Sequence, residues 1–155
     1  MENSKVANKE TIVILNDLIQ IHNDRMAGYE KVARELQEEN EDLRDLFNAM
    51  ITESREMKSS LVNEVQVLHG ESERGTTTSG KIYRMWMDVK SMFSGHDRQV
   101  LLSNCEYGED ATQKAYREAL ESDYLPVYIR QMLYEQRQAL KISHDEIREL
   151  RDQYA

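Results

Sequence analysis

A single cysteine, Cys105, excludes an internal disulfide and any zinc site built on several thiolates, so the chain reads as an intracellular, cytoplasmic protein. One proline and six glycines in 155 residues leave long stretches without a helix breaker, and the fold class expected is all-α. Basic side chains are in deficit. Twenty Lys and Arg against 29 Asp and Glu give a net charge of −9, which opposes binding to nucleic acid or an anionic membrane, where affinity comes from Lys and Arg on phosphate. The first ten residues, MENSKVANKE, carry no apolar run, which predicts neither a signal peptide nor a membrane span. No Gly-rich phosphate loop, nucleophile elbow or Cys-x-x-Cys occurs, so nucleotide, acyl-transfer and thiol-redox mechanisms lack their motifs.

What is present is helical periodicity. The size, 18.2 kDa, suits one domain over residues 1–155. Leu15, Ile19, His22, Met26, Tyr29, Ala33 and Leu36 step by four and three, an apolar seam that predicts a first helix over roughly 9–37. After the polar turn Glu38–Glu41, a second seam of Leu43, Leu46, Met50, Glu53, Met57, Leu61, Val65 and Leu68 predicts a helix over 41–69, with Gly70 as its stop. A third, over 97–121 with Asp97 as N-cap, runs Leu101, Cys105, Glu109, Thr112, Tyr116, Leu120. The fourth, over 124–154, takes Pro126 into its first turn and continues Ile129, Met132, Glu135, Ala139, Ile142, Glu146, Leu150.

Between the second and third helices lies a connection from Gly70 to Gly95, long enough to cross the bundle. Ile82, Trp86, Val89 and Phe93 share a stripe and predict a short helix over 81–93 within it. Trp86, the one tryptophan, has two readings, core packing or an anchor for a partner.

Among the polar residues that interrupt the seams are four, one from each long helix: His22, Glu53, Glu109 and Glu135. A lone carboxylate in a bundle core costs several kcal/mol unless it is protonated, hydrogen-bonded or bound to a cation. The halves also repeat. Tyr29 follows His22, and Tyr116 follows Glu109, by seven residues, and helices two and four carry Glu53-Ser-Arg-Glu56 and Glu135-Gln-Arg-Gln138. Positions three apart lie on one helix face, a spacing that lets one helix give two ligands to a metal pair.

In these features the chain resembles the ferritin-like superfamily, whose motif is a carboxylate seven residues before a tyrosine on helices one and three and a Glu-x-x-His on helices two and four. It is also similar to a bacterial four-helix-bundle family catalogued as a domain of unknown function, through Leu15-Asn-Asp-Leu-Ile19, Trp86-Met-Asp-Val-Lys90, Cys105-Glu-Tyr-Gly-Glu-Asp-Ala111, His144-Asp-Glu-Ile-Arg148 and Leu150-Arg-Asp152. The resemblance implies an up-down-up-down ferritin-like bundle with a pseudo-twofold between residues 9–70 and 96–154. It also implies an iron or manganese pair held by His22, Glu53, Glu56, Glu109 and Glu135. Both motif histidines are replaced, by Glu56 and Gln138, and the helix-one carboxylate by His22.

Two functions follow as expectations. The first is a non-enzymatic bundle with a degenerate di-metal site, acting in stress physiology or as an interaction module, its seam glutamates protonated or paired with arginines such as Arg55 and Arg137. The second is a di-iron or di-manganese carboxylate oxidoreductase or iron-handling protein. Cys105 is expected to be buried and inert, Tyr29 and Tyr116 to bond facing carboxylates, and His22 to bond a facing glutamate. His69 and His96 are expected as helix-end residues, and His144 as a surface or interhelix hydrogen-bonding residue. The apolar succession Ile12, Val13, Ile14, Leu15 suggests a homodimer through helix one.

Overall fold

The computed structural model describes residues 2–36, 40–75, 86–89 and 98–153, with side chains from Lys5 onward. Four long helices carry the chain: α1 Glu2–Glu35, α2 Glu41–Val67, α3 Arg98–Leu120 and α4 Val127–Gln153. A helical stretch at 86–89 lies in the crossover, and no strand occurs among the described residues. The rest of the short helix expected over 81–93, the Asp97 cap, His96 and the first half of the Glu38–Glu41 turn lie outside the described residues. No described helix is long and apolar enough to cross a membrane.

α1 packs along α2 and α3 along α4, with further contact between α1 and α3 and between α2 and α4. The direction of α3 departs from the expected alternation. Arg98, at its start, bonds Asn40 (3.1 Å) and Asp42 at the start of α2, and Thr11 near the start of α1 donates to the Tyr124 carbonyl after the end of α3. α2 and α3 therefore run parallel, and the order is up-down-down-up. The physical reason is the length of the crossover, which carries the chain back along the bundle before α3 begins.

α2 ends on a Schellman motif. Gly70 N–H donates to the Val65 carbonyl at 2.9 Å and His69 N–H to that of Gln66 at 3.0 Å. These bonds place His69 at the left-handed position, with φ 63°, where the sequence reading had put Gly70. Gly70 serves a different need, because a Cβ there would sit 2.9 Å from the Ile12 side chain. Pro126 lies one residue before α4, its carbonyl accepting from Arg130 N–H at 2.9 Å, so its missing N–H goes unused.

The core forms two apolar clusters, one toward each end. At one end Tyr29, Phe47, Trp86, Val89, Leu102, Cys105 and Ile147 pack together. At the other, Leu15, Ile19, Leu61, Val65, Leu125, Ile129, Leu133 and Leu140 do so. Each such side chain contributes roughly 1.5–3 kcal/mol on burial. Trp86 is core: its indole is wedged between α1 and α3, where a Cβ on either Gly28 or Gly108 would meet the ring at 3.0 Å. Its Nε1 donates to Thr112 Oγ1 at 3.4 Å. The apolar succession on α1 is divided, with Leu15 fully buried, Ile12 and Ile14 partly covered and Val13 facing outward.

Candidate functional site

Between the two apolar clusters the bundle interior is polar, and each helix supplies part of it. Three residues of α1 spaced three and four apart, His22, Arg25 and Tyr29, point inward and are all fully buried. The seam expected Met26 in this run, yet Arg25 falls on the same face. Its guanidinium is central. Nη2 and Nε donate to Glu109 Oε1 of α3 at 2.8 and 3.1 Å, and Nη1 lies 2.9 Å from Glu53 Oε1 and donates to Ser54 Oγ at 2.8 Å, both on α2. Tyr29 O–H adds a third bond to Glu109 Oε1 at 2.7 Å. Glu109 Oε2 is buried with no hydrogen-bond partner. Ser143 of α4 donates to Glu53 at 2.9 Å.

A second branch runs from Arg25 through His22. Ser54 accepts from Arg25, so its own hydroxyl proton goes to His22 Nδ1 at 2.9 Å. His22 Nε2–H then donates to the Tyr116 hydroxyl at 2.6 Å, Tyr116 donates to Gln136 Oε1 at 2.6 Å, and Gln136 Nε2 donates to the Met57 carbonyl at 3.3 Å. This direction of donation requires a neutral imidazole protonated at Nε2. The electrostatics agree: burial first, then the Arg25 and Lys58 charges, push the His22 pKa down to about 3.

For Arg25, burial alone would lower its pKa, but Glu109, Tyr29 and Glu53 outweigh it and hold the guanidinium charged. Burial lifts Glu53 above the usual carboxylate range against the pull of Arg25 and Ser143. That suits two carboxylates sharing one guanidinium. Burial together with the Glu109 charge raises the Tyr29 hydroxyl and the Cys105 thiol well above their ordinary values. Burial raises Tyr116 as well. These groups are neutral hydrogen-bonders or inert packing at physiological pH.

Of the five residues predicted to hold metal, the structure brings His22, Glu53 and Glu109 into this interior layer, where protein partners engage both ring nitrogens of His22, Glu53 and one oxygen of Glu109. Glu56 and Glu135 face solvent, and Glu135 accepts from Gln131 on the helix surface. The reason is register. The inward stripe of α4 is Ile129, Leu133, Gln136, Leu140, Ser143 and Ile147, stepping four, three, four, three, four. Two steps of three from Ile129 to Glu135 leave that stripe, because six residues turn a helix about 600°, well short of two full turns. Arg55 is exposed, and the arginine that pairs the carboxylates is Arg25. The residues missed, Arg25, Ser54, Gln136 and Ser143, were signalled by spacing alone: Arg25 lies three after His22 and four before Tyr29.

A second polar group forms on the α3–α4 surface. Among the described residues, Glu106 and Asp110 of α3 and His144 of α4 bring one ligand-type atom each to within 4.8 Å of one another.

The arrangement is that of an α-helical protein with a buried ionic layer crossing its interior. Residues 10–122 match the family described as a domain of unknown function, DUF2383, and the chain belongs to that family. The match covers α1 to the α3–α4 turn. Comparison with curated proteins gives no match.

Proposed function

We propose that this chain is a non-enzymatic ferritin-like bundle that works as a structural and interaction module, its interior di-metal position rebuilt as an ion-paired layer around Arg25. The observation that carries the reading is the fully buried Arg25 guanidinium, which bridges Glu53 and Glu109. A cation held between those two carboxylates would have to displace a protein cation already there. The residues present do not fit a metal pair: His22 has both ring nitrogens engaged, and Glu56 and Glu135 point to solvent.

For the interaction role, α4 offers an outward stripe without formal charge, Val127, Gln131, Tyr134, Gln138 and Ile142, with Val127 84% and Ile142 64% exposed. This stripe, as well as the expected face of α1, is a surface for pairing with a second copy. The test of the interior is Glu109→Ala. Removing the carboxylate leaves Arg25 buried with half its pairing, so unfolding free energy should fall by about 3–5 kcal/mol while bound iron and manganese, measured by elemental analysis, stay unchanged. A more stable variant that has lost iron or manganese would overturn the reading in favour of an interior metal centre. For the surface, Ile142→Glu should lower the sedimentation mass if the stripe pairs two copies.

A further inference from the structure

We infer that the α3–α4 surface carries a site for one divalent transition-metal ion, held by Glu106, Asp110 and His144 and separate from the ionic interior. Glu106 and Asp110 are four residues apart and share one face of α3; His144 approaches from α4. A set of two carboxylates and one imidazole suits zinc, manganese or ferrous iron, whereas magnesium and calcium favour oxygen alone.

Two observations point to a ligand here beyond the clustering. The first is Glu106, which is only 9% exposed. Arg151 Nη1 donates to its Oε1 at 2.7 Å, fixing the carboxylate, while Oε2 is buried and has no hydrogen-bond partner. A buried acceptor without a donor is costly, and a cation would satisfy it.

The second is the setting of His144. Its Nε2 lies 2.6 Å from Asp110 Oδ1 and its Nδ1 lies 3.0 Å from Asp145 Oδ1. A metal taken on Nε2 beside Asp110 would leave Nδ1–H to Asp145. That is the usual arrangement in which a carboxylate orients a metal-bound histidine. Asp145 is itself held by Lys141 at 3.1 Å and Arg148 at 3.4 Å, so the orienting group is fixed in place.

Zinc–ligand bonds of about 2.0–2.2 Å put ligand atoms closer together than 4.8 Å. The movement falls to Asp110, whose side chain is 54% exposed; Glu106 and His144 are largely covered.

The experiment is calorimetric titration of the tag-free, full-length protein with zinc chloride and with manganese chloride, and with magnesium and calcium as comparisons. The expected result is one zinc per chain and a rise in unfolding midpoint of roughly 5–10 °C at about a hundred times the Kd. His144→Ala and Glu106→Gln should each weaken binding by about tenfold or more and abolish the rise, with helicity unchanged. Imidazole nitrogen NMR supplies a readout that needs no variant: zinc should shift the His144 resonances and leave those of His22 in place. No zinc binding, equal binding by His144→Ala, or a shift at His22 instead of His144 would each overturn the site. The last result would also count against the Arg25 reading of the interior, so the two failures are distinguishable.

Discussion

Glu109 and Asp110 are neighbours in sequence with the same charge, yet the fold gives them opposite roles. Glu109 is 1% exposed and takes three hydrogen bonds on one oxygen from Arg25 and Tyr29. Asp110, 100° further round α3, stands at the surface beside His144. The inner carboxylate is compensated by a permanent protein cation, and the outer one faces a histidine whose proton a metal can replace. A charge buried without solvent needs a partner at all times, whereas one at the surface tolerates an exchangeable partner. The same helix therefore supports a fixed layer on one face and a ligand site on the other.

The comparison breaks most sharply at Glu109. Chemical denaturation of Glu109→Ala should show a loss of about 3–5 kcal/mol, while Asp110→Ala in metal-free buffer should stay within about 0.5 kcal/mol of the parent. Equal effects would mean the inner and outer carboxylates do the same job.

Next in size is Gly108→Ala. A Cβ there meets three indole atoms of Trp86 at 3.0 Å, and the ring also packs close to Gly28, where an added Cβ would likewise meet it at 3.0 Å. Unfolding should become easier by about 1–3 kcal/mol, with tryptophan fluorescence reporting a shifted indole. An unchanged midpoint would show that the ring has room to move.

The interior should also reveal itself through acid. His22 is neutral in the folded protein, its pKa lowered to about 3, but ordinary in the unfolded chain. Between roughly pH 6.5 and 3 the unfolded state binds the extra proton, so stability falls as pH falls, by at most about 1.4 kcal/mol per pH unit from this group. His22→Gln should flatten the stability profile over that window. A slope that persists would place the acid sensitivity elsewhere.

A small effect is also expected of His144→Ala without metal, a change within about 0.5 kcal/mol. Only on adding zinc should parent and variant separate.

Much of this was legible in the chain. The four long helices lie close to where apolar spacing put them, the seam of α3 from Leu101 to Tyr116 faces inward, and Tyr29 bonds a buried carboxylate as expected. His22, Glu53 and Glu109 were marked by polarity within apolar stripes. Two of the differences share a cause. An apolar stripe tolerates a slip of one residue, and on α4 that slip exchanged Gln136 for Glu135. On α1 it passed over Arg25 for Met26, because a long cationic side chain suggests a solvated face until something opposite is found to pair it.

Sequence alone determined the helices, their apolar faces and the excess of acid, since these depend on local propensity and on periodicity along one chain. Only the tertiary structure decided which charges meet. That Arg25 lies between Glu53 and Glu109 and that Asp110 stands against His144 are each set by distances between residues far apart in the chain. No one-dimensional spacing encodes such distances, and the pairing they bring about separates a stabilising layer from a ligand site.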